Sequence, residues 1–213
     1  MSLICYSLVY NFLGKFFELV ILIMEQPFND QPVETLVEKL LSADGTQLDL
    51  RVKYIGDEGL KKLAQDERLK NLQELNLERN ELTVEGIRAL AKSEVITGLT
   101  SLHLERNDLD DASIECIAVS SKFSHLKKLI LWKNKVGPTG AKALADSLYL
   151  SGLETLDLAQ NQVGDEGAHA LSQSITLTGI KYLDLFGNGL TEEGKQALKN
   201  SENFSHIRDL ILA

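Results

Sequence analysis

The stretch that decides the fold runs from Leu126 to Asn134, LKKLILWKN, and continues directly into KVGPTGAKALA at residues 135–145. Its apolar residues stand at the first, fourth and sixth places, which predicts a strand of about three residues. The asparagine then predicts a turn, and the Gly-Pro pair at 137–138 predicts the start of a helix. Similar units stand on both sides, so this unit predicts how most of the chain folds.

A single period of 27 residues governs the chain. Such a short strand cannot bury its apolar side alone, so consecutive units must stack on one another. Asparagine holds the ninth place in five units, and we expect it to bond the backbone of its own turn and of the adjacent unit. Successive units begin at Gly45, Leu72, Leu99, Leu126, Leu153, Ile180 and Ile207, and the asparagines are Asn80, Asn107, Asn134, Asn161 and Asn188.

The pattern LxxLxLxxNxL resembles that of leucine-rich repeat proteins, and the resemblance covers Gly45 to Ala213. The second halves of the units, such as TVEGIRALA at 83–91 and GDEGAHALS at 164–172, are similar to the ribonuclease-inhibitor-like subfamily. The resemblance implies an α/β fold, a right-handed leucine-rich-repeat solenoid. In this horseshoe segment a parallel sheet lines the concave side and helices cover the convex side.

Helix starts are marked by residues that suit them. Thr83, Asp110 and Thr191 are suitable N-caps, and Pro138 suits a first helical position. Cys116 stands where other units have alanine, which predicts a small buried residue. A glycine recurs inside the helix start, where we expect it to allow close packing of helix against sheet, at Gly86, Gly140, Gly167 and Gly194.

The first 44 residues precede the repeats, and we expect an N-terminal helical cap over 1–44 and repeats over 45–213. An apolar face of Val33, Leu36, Val37, Leu40 and Leu41 predicts one helix of this cap, ending at Asp44-Gly45. Residues 3–23 are apolar with one polar stripe. They form a helix that closes the solenoid core, a helix in a membrane interface, or no part of the protein if translation begins at Met24.

Composition limits the classes of function. A net charge of -9 argues against nucleic acid, whose binding depends on clustered Lys and Arg. The two cysteines show no CxxC or zinc spacing, so we expect no disulfide framework, metal or cofactor. His103 beside Glu105, and the pair Asp157 and Asp184, are the only acid–base candidates. Neither has a nucleophile nearby in the sequence pattern, so the chain is not expected to be an enzyme.

Residues between the leucines of each strand point to the concave face, since alternate side chains of a strand point to opposite faces. Exposed aromatic and apolar residues on this face predict a protein-binding patch, because interface energy concentrates in such anchors. We assign to it Trp132, Phe186, Tyr182, Ile130, Asp157, Asp184, Arg106, Glu105, His103, Arg79, Glu78 and Lys133. Asp157 and Asp184 predict a socket for a partner's Lys or Arg. The alternative is that a cap or neighbouring helix covers these residues.

The sequence therefore predicts a module that binds another folded protein. The resemblance implies more, because some ribonuclease-inhibitor-like proteins inhibit enzymes by laying the horseshoe over an active site. We expect a partner enzyme with a basic or mixed-charge surface, no membrane partner, and a monomer when free. The cysteine usage fits a reducing, cytoplasmic compartment. The repeats also resemble those of stand-alone leucine-rich-repeat effectors of intracellular bacteria, which implies secretion into a host-cell cytosol. A scaffold or membrane-tethered adaptor without inhibitory action is the competing interpretation.

Overall fold

The computed structural model describes residues 31–212. The expectations for residues 3–23 lie outside this range. Seven strands form one parallel sheet in chain order, and each pairs with the next at the 27-residue offset of the repeat, as Leu102 pairs with Leu129. The strands are β1 (Gln47–Asp49), β2 (Glu74–Asn76), β3 (Ser101–His103), β4 (Lys128–Ile130), β5 (Thr155–Asp157), β6 (Tyr182–Asp184) and β7 (Asp209–Ile211).

A helix follows each of the first six strands, so the predicted α/β solenoid is confirmed. The leucines at the fourth and sixth places fill the space between sheet and helices, and Leu129 and Leu131 are fully buried. The helices are α1 (Val33–Leu40), α2 (Gly56–Leu63), α3 (Val84–Ala91), α4 (Asp111–Ala118), α5 (Pro138–Asp146), α6 (Gly164–Ser172) and α7 (Glu192–Lys199). Short 3-10 turns lie at Glu67–Leu69, Ser121–Phe123 and Glu202–Phe204.

The helix α1 covers the start of the solenoid and contacts α2 and β1. Val37 is fully buried there, whereas Leu40 is exposed, although the sequence placed both on the apolar face. The reason is that the helix ends at Leu40, before the predicted Asp44-Gly45. The chain then turns extended at Leu41, which forms an antiparallel bridge with Leu48.

The repeated asparagine links each unit to the one before it, as predicted. In Asn134, Nδ2 donates to the carbonyls of Leu131 in its own turn and Leu104 in the preceding unit, both at 3.0 Å. Its Oδ1 accepts from the backbone N–H of Leu109 at 3.2 Å. These contacts satisfy buried backbone groups where the chain leaves the strand. Equivalent bonds to the preceding unit are made by Asn80, Asn107, Asn161 and Asn188.

A second ladder, of serine hydroxyls, joins the units where each helix ends. Ser147 Oγ donates to the carbonyl of Ala118 in the preceding unit at 2.6 Å and accepts from the backbone N–H of Leu150 at 3.3 Å. The ladder recurs with the same period and binds the last turn of one helix to the next unit. Its members are Ser93, Ser120, Ser147, Ser174 and Ser201.

Carboxylates at the start of alternate helices bind the start of the next helix. Asp57 Oδ1 accepts from the backbone N–H groups of Thr83 at 2.9 Å and Gly86 at 3.0 Å. Asp111 does the same for the N–H of Gly137, and Asp165 for that of Thr191. Because these N–H groups have no partner inside their own helix, an acceptor there is stabilising. The predicted caps Thr83, Asp110 and Thr191 and the first-turn Pro138 are confirmed.

The recurrent glycines have a different reason from the predicted one. A Cβ on Gly86 would lie 2.5 Å from Asp57 Oδ1, and one on Gly140 would lie 2.6 Å from Asp111 Oδ1. The close approach is therefore to the helix start of the preceding unit, and the expectation of helix-to-sheet packing was wrong. Cys116 also differs, since it is only partly buried and lines a groove that Arg88 borders on the convex side.

Candidate concave binding surface

Strand pairing sets the fifth place of each unit beside the fifth place of the next. Ile130 pairs with His103 on one side and Asp157 on the other, and Asp157 pairs with Asp184. Neighbouring strands of a sheet are about 5 Å apart, so these side chains form one continuous row. The predicted concave columns are therefore present as a single surface across β3 to β6.

The backbone ladder continues past the strands into the seventh and eighth places. Arg106 donates its backbone N–H to the carbonyl of Trp132 at 2.9 Å, and Arg79 does the same toward Glu105 at 2.9 Å. Residues at the eighth place adopt the left-handed conformation, with φ of 52° at Arg79, 52° at Arg106 and 57° at Lys133. The fold therefore brings these cationic side chains to the same edge of the sheet, one unit apart.

Trp132 lies at the centre of this surface and is partly buried. The guanidinium carbon of Arg106 lies 4.6 Å from the centroid of the indole, so the cation covers part of the ring. This is a cation–π distance, and such a pair contributes about 0.5 to 1 kcal/mol at an exposed site. Trp132 and Tyr182 were expected to be exposed but are partly buried, whereas Phe186, two units away, is 46% exposed.

Ile130 was expected to be exposed, and that expectation was wrong. The residue is only 8% exposed, and it stands between His103 and Asp157 on the paired strands. Ile130 therefore forms the floor of the surface. The aromatic residues beside it, and not Ile130, are therefore the candidate anchors for a partner.

Two carboxylates and a phenol form the end of the surface at β5 and β6. Asp157 Oδ1 accepts from the backbone N–H of Ala159 at 2.9 Å, and Tyr182 donates its hydroxyl to Asp184 at 3.2 Å. Burial raises the pKa of the Asp157 carboxyl, and the negative charges of Asp184 and Glu105 raise it further. Burial and the charge of Asp184 raise the pKa of Tyr182 to about 12.

Glu105 adds a third carboxylate to this surface. Its Oε1 lies 2.9 Å from Nδ1 of His103. Its Oε2 is buried and has no hydrogen-bond partner among residues 31–212. A buried acceptor left unpaired costs about 1 to 3 kcal/mol. The concave surface therefore carries a concentration of negative charge with one acceptor unsatisfied.

Cations lie along the other edge of the surface and already have weak partners. Arg106 Nε lies 3.9 Å from Glu78 Oε1, and the guanidinium of Arg79 lies 5.9 Å from the ring centroid of Tyr54. Exposed ion pairs of this kind contribute little to stability, so the cations can exchange partners. The sequence missed the stacking of Arg106 and Arg79, because each contact joins residues of two different units.

Two properties of the described chain bear on other functions. No group of three or more His, Cys, Asp or Glu within residues 31–212 could hold a metal ion. In the same range, no helix combines the length and the apolar character that crossing a bilayer requires. The acid–base candidate His103 is bound to Glu105, and Asp157 and Asp184 are held by backbone N–H groups.

Stacked strand–helix units, an asparagine ladder and a continuous concave sheet define a solenoid repeat protein. A family model described as "Leucine Rich repeat" matches residues 68–91, 97–118, 124–145, 151–172 and 177–199, which together make up more than half of the chain. The chain belongs to the leucine-rich repeat family.

No curated protein matches the chain. Among solved structures it is similar to the LRR ectodomain of the plant membrane receptor kinase GASSHO1/SCHENGEN3 from Arabidopsis thaliana, solved in complex with CASPARIAN STRIP INTEGRITY FACTOR 2. The identity is 22% and the TM-score is 0.41 over 78% of this chain. The chain spans 18% of the length of that ectodomain chain.

Proposed function

We propose that this chain binds another folded protein through its concave surface and inhibits a partner enzyme by covering its active site. The observation that carries the proposal is Trp132, a partly buried indole at the centre of the sheet with Arg106 over its ring and exposed Phe186 two units away. Buried aromatic and arginine anchors surrounded by polar groups supply most of the energy of protein interfaces.

The charges on the surface support a partner that presents basic side chains. Asp157 and Asp184 stand on paired strands, and the raised pKa of the Asp157 carboxyl reflects burial and the like charges around it. A Lys or Arg of the partner would reduce this repulsion by placing a positive charge beside these carboxylates. The predicted partner is accordingly an enzyme whose active-site rim is basic or of mixed charge.

A scaffold is the second candidate, and one observation favours it. Leu148 and Ile175 hold the same place in adjacent units, at 79% and 84% exposure, on the loops that follow α5 and α6. Other units have Glu67, Glu94, Ser121 and Glu202 at this place. A second apolar contact surface away from the concave sheet would allow the chain to hold two proteins together.

Affinity capture followed by mass spectrometry tests the proposal. Wild-type protein is compared with Trp132→Ala, which we expect to weaken binding of the captured partner by more than about 2 kcal/mol without loss of fold. The control is Tyr149→Ala, which removes an exposed aromatic ring outside the concave surface. Equal binding by both variants in calorimetry would count against the concave surface.

The finer claims need their own measurements. Inhibition requires that the captured enzyme loses activity as the complex forms, whereas undiminished activity in a saturated complex favours the scaffold. The proposed role as a bacterial effector predicts transfer of the tagged chain into the host cytosol by secreting cells. Deletion of residues 1–23 addresses the tethered adaptor, which predicts loss of membrane association with partner binding intact.

A further inference from the structure

A basic cavity lies at the edge of the concave surface, although the chain as a whole has a net charge of -9. Four cations line it together with two asparagines of the ladder and one aspartate. The lining residues are Arg79, Arg106, Lys133, Lys135, Asn107, Asn134 and Asp108. The cavity volume is about 440 Å³, which accommodates a small anionic group and the side chain that carries it.

Three of these cations come from one place in the repeat. Arg79, Arg106 and Lys133 occupy the eighth place of three consecutive units, all in the left-handed conformation. The same place holds Val52, Gln160 and Gly187 in the flanking units, all with positive φ and none charged. The backbone geometry is therefore a property of the fold, whereas the positive charge is confined to the three units that border the cavity.

The partners of these cations within the described chain are weak. Lys135 pairs with Asp108 at 2.9 Å, but both side chains are more than half exposed. Arg106 interacts with the face of Trp132 and lies 3.9 Å from Glu78. An incoming dianion would gain several charge-assisted hydrogen bonds and give up only solvent-screened pairs in exchange.

We propose that this cavity binds a phosphorylated side chain of the partner protein, next to the aromatic anchor Trp132. A phosphoryl group carries about -1.5 to -2 charges at neutral pH and three acceptor oxygens, which suits a cavity lined by four cations. A nucleic-acid backbone fits less well, because its further phosphates would meet Glu78, Glu105 and Asp108 around the cavity. The assignment of the phosphate to a partner protein rests on the proposed function, whereas the anion site itself does not.

The test uses the full chain and two blocked tripeptides, acetyl-Gly-phosphoserine-Gly-amide and its unphosphorylated form. Binding is followed by amide chemical shifts in NMR and by the fluorescence of Trp132, the chain's only tryptophan. We expect shifts at Asn107, Lys133 and Lys135, and binding of the phosphopeptide at least about tenfold tighter than that of the unphosphorylated peptide. Equal binding of the two peptides, or shifts confined to other parts of the chain, would overturn the proposal.

Charge-matched variants separate a specific site from general attraction. Lys133→Gln and Arg79→Gln each remove one lining cation and should weaken phosphopeptide binding by about fivefold or more. Lys142→Gln removes one charge from the convex helix α5, where Lys142 pairs with Asp146, and should leave the affinity unchanged. Equal losses in all three variants would mean that no specific cavity exists.

Two further arms identify the source of the phosphate. Vesicles of phosphatidylcholine with a phosphoinositide should not bind more tightly than the phosphopeptide, and preferential vesicle binding would overturn the assignment to a protein. Failure here is distinguishable from failure of the proposed function. If Trp132→Ala abolishes partner capture while dephosphorylation of the partner and Lys133→Gln do not affect it, the concave surface stands and the phosphate site falls.

Discussion

The guanidinium of Arg106 covers the indole of Trp132 at 4.6 Å, and the two residues belong to different units. The backbone N–H of Arg106 also donates to the carbonyl of Trp132, so the two residues are in contact through both main chain and side chain. Arg106 adopts the left-handed conformation, and its side chain reaches the neighbouring unit. The central aromatic residue is therefore held in place before any partner arrives, which reduces the entropy lost on binding.

Removal of the covering cation should expose the indole. We expect Arg106→Ala to shift the emission of Trp132 to longer wavelength and to increase its quenching by acrylamide, because one face of the ring becomes open to water. Arg79→Ala is the matched control, since Arg79 holds the same place one unit earlier and lies over Tyr54. An emission spectrum unchanged by Arg106→Ala would show that the contact does not persist in solution.

Asp157→Asn should stabilise the fold at neutral pH. Burial and nearby acids raise the folded-state pKa of Asp157, so its ionised form is disfavoured by folding. The stabilising contribution of the protonated form is complete below the unfolded pKa of about 3.9 and is lost as the pH rises through the folded pKa. An asparagine keeps the acceptor for the backbone N–H, as Asn76 does for Glu78 at 3.0 Å. Urea unfolding at pH 7 and at pH 3 measures the difference, which should vanish at the lower pH.

Asp49→Asn should have the opposite effect and serves as the control. Asp49 holds the same place in the repeat, where burial raises its pKa but hydrogen bonds from Arg51 outweigh this and lower it overall. A lowered pKa gives stability that is present above the unfolded pKa and is lost as the pH falls through the folded one. Stability changes of the same sign in both variants would contradict the assignment of Asp157 as a site kept for binding.

Asn134→Ala should destabilise the protein by about 1 to 3 kcal/mol, because it leaves the buried N–H of Leu109 without a partner. The carbonyls of Leu104 and Leu131 also lose a donor, but each keeps a second one, from Asn107 and Asn161 respectively. Asn71→Ala, at an exposed asparagine outside the ladder, should change the free energy of unfolding by less than about 0.5 kcal/mol. Chemical unfolding measures both free energies. An equally small effect of Asn134→Ala would show that the asparagine ladder does not stabilise the fold.

Gly86→Ala should destabilise the protein by about 1 to 3 kcal/mol, because the added methyl group overlaps the carboxylate of Asp57. A double-mutant cycle with Asp57→Ala tests this cause. If the overlap is with the carboxylate, the two substitutions together should cost less than the sum of the single ones. Additive losses would instead place the strain in the helix backbone.

The repeat period determined much of the fold in advance. Leucine spacing predicted the strands, and the asparagine register predicted hydrogen bonds that Asn134 makes to two units. The serine ladder was available from the same period, since Ser120, Ser147 and Ser174 are 27 residues apart, but serine is too common in loops to be read as a structural signal.

The features of the surface that sequence could not predict are contacts between side chains of different units. Period alone placed Ile130 on the concave face but could not give its burial, which depends on how the side chains of the paired strands pack around it. The stacking of Arg106 on Trp132 depends on a left-handed residue that no glycine marks. The assignment of the concave residues to partner binding stays a prediction.

The alternating carboxylates have a consequence for how such a chain can change its length. Asp57, Asp111 and Asp165 recur every second unit, and each serves the helix start of the unit that follows. Excision of residues 72–98 alone would set Asp57 against Asp110, so two carboxylates would meet, and the N–H groups of Asp110 and Ser113 already bond each other's side chains. Excision of residues 72–125 would set Asp57 against Gly137, whose N–H already donates to the equivalent carboxylate of Asp111. Growth or shortening of this solenoid should therefore proceed by doublets, whether by gene duplication or by design.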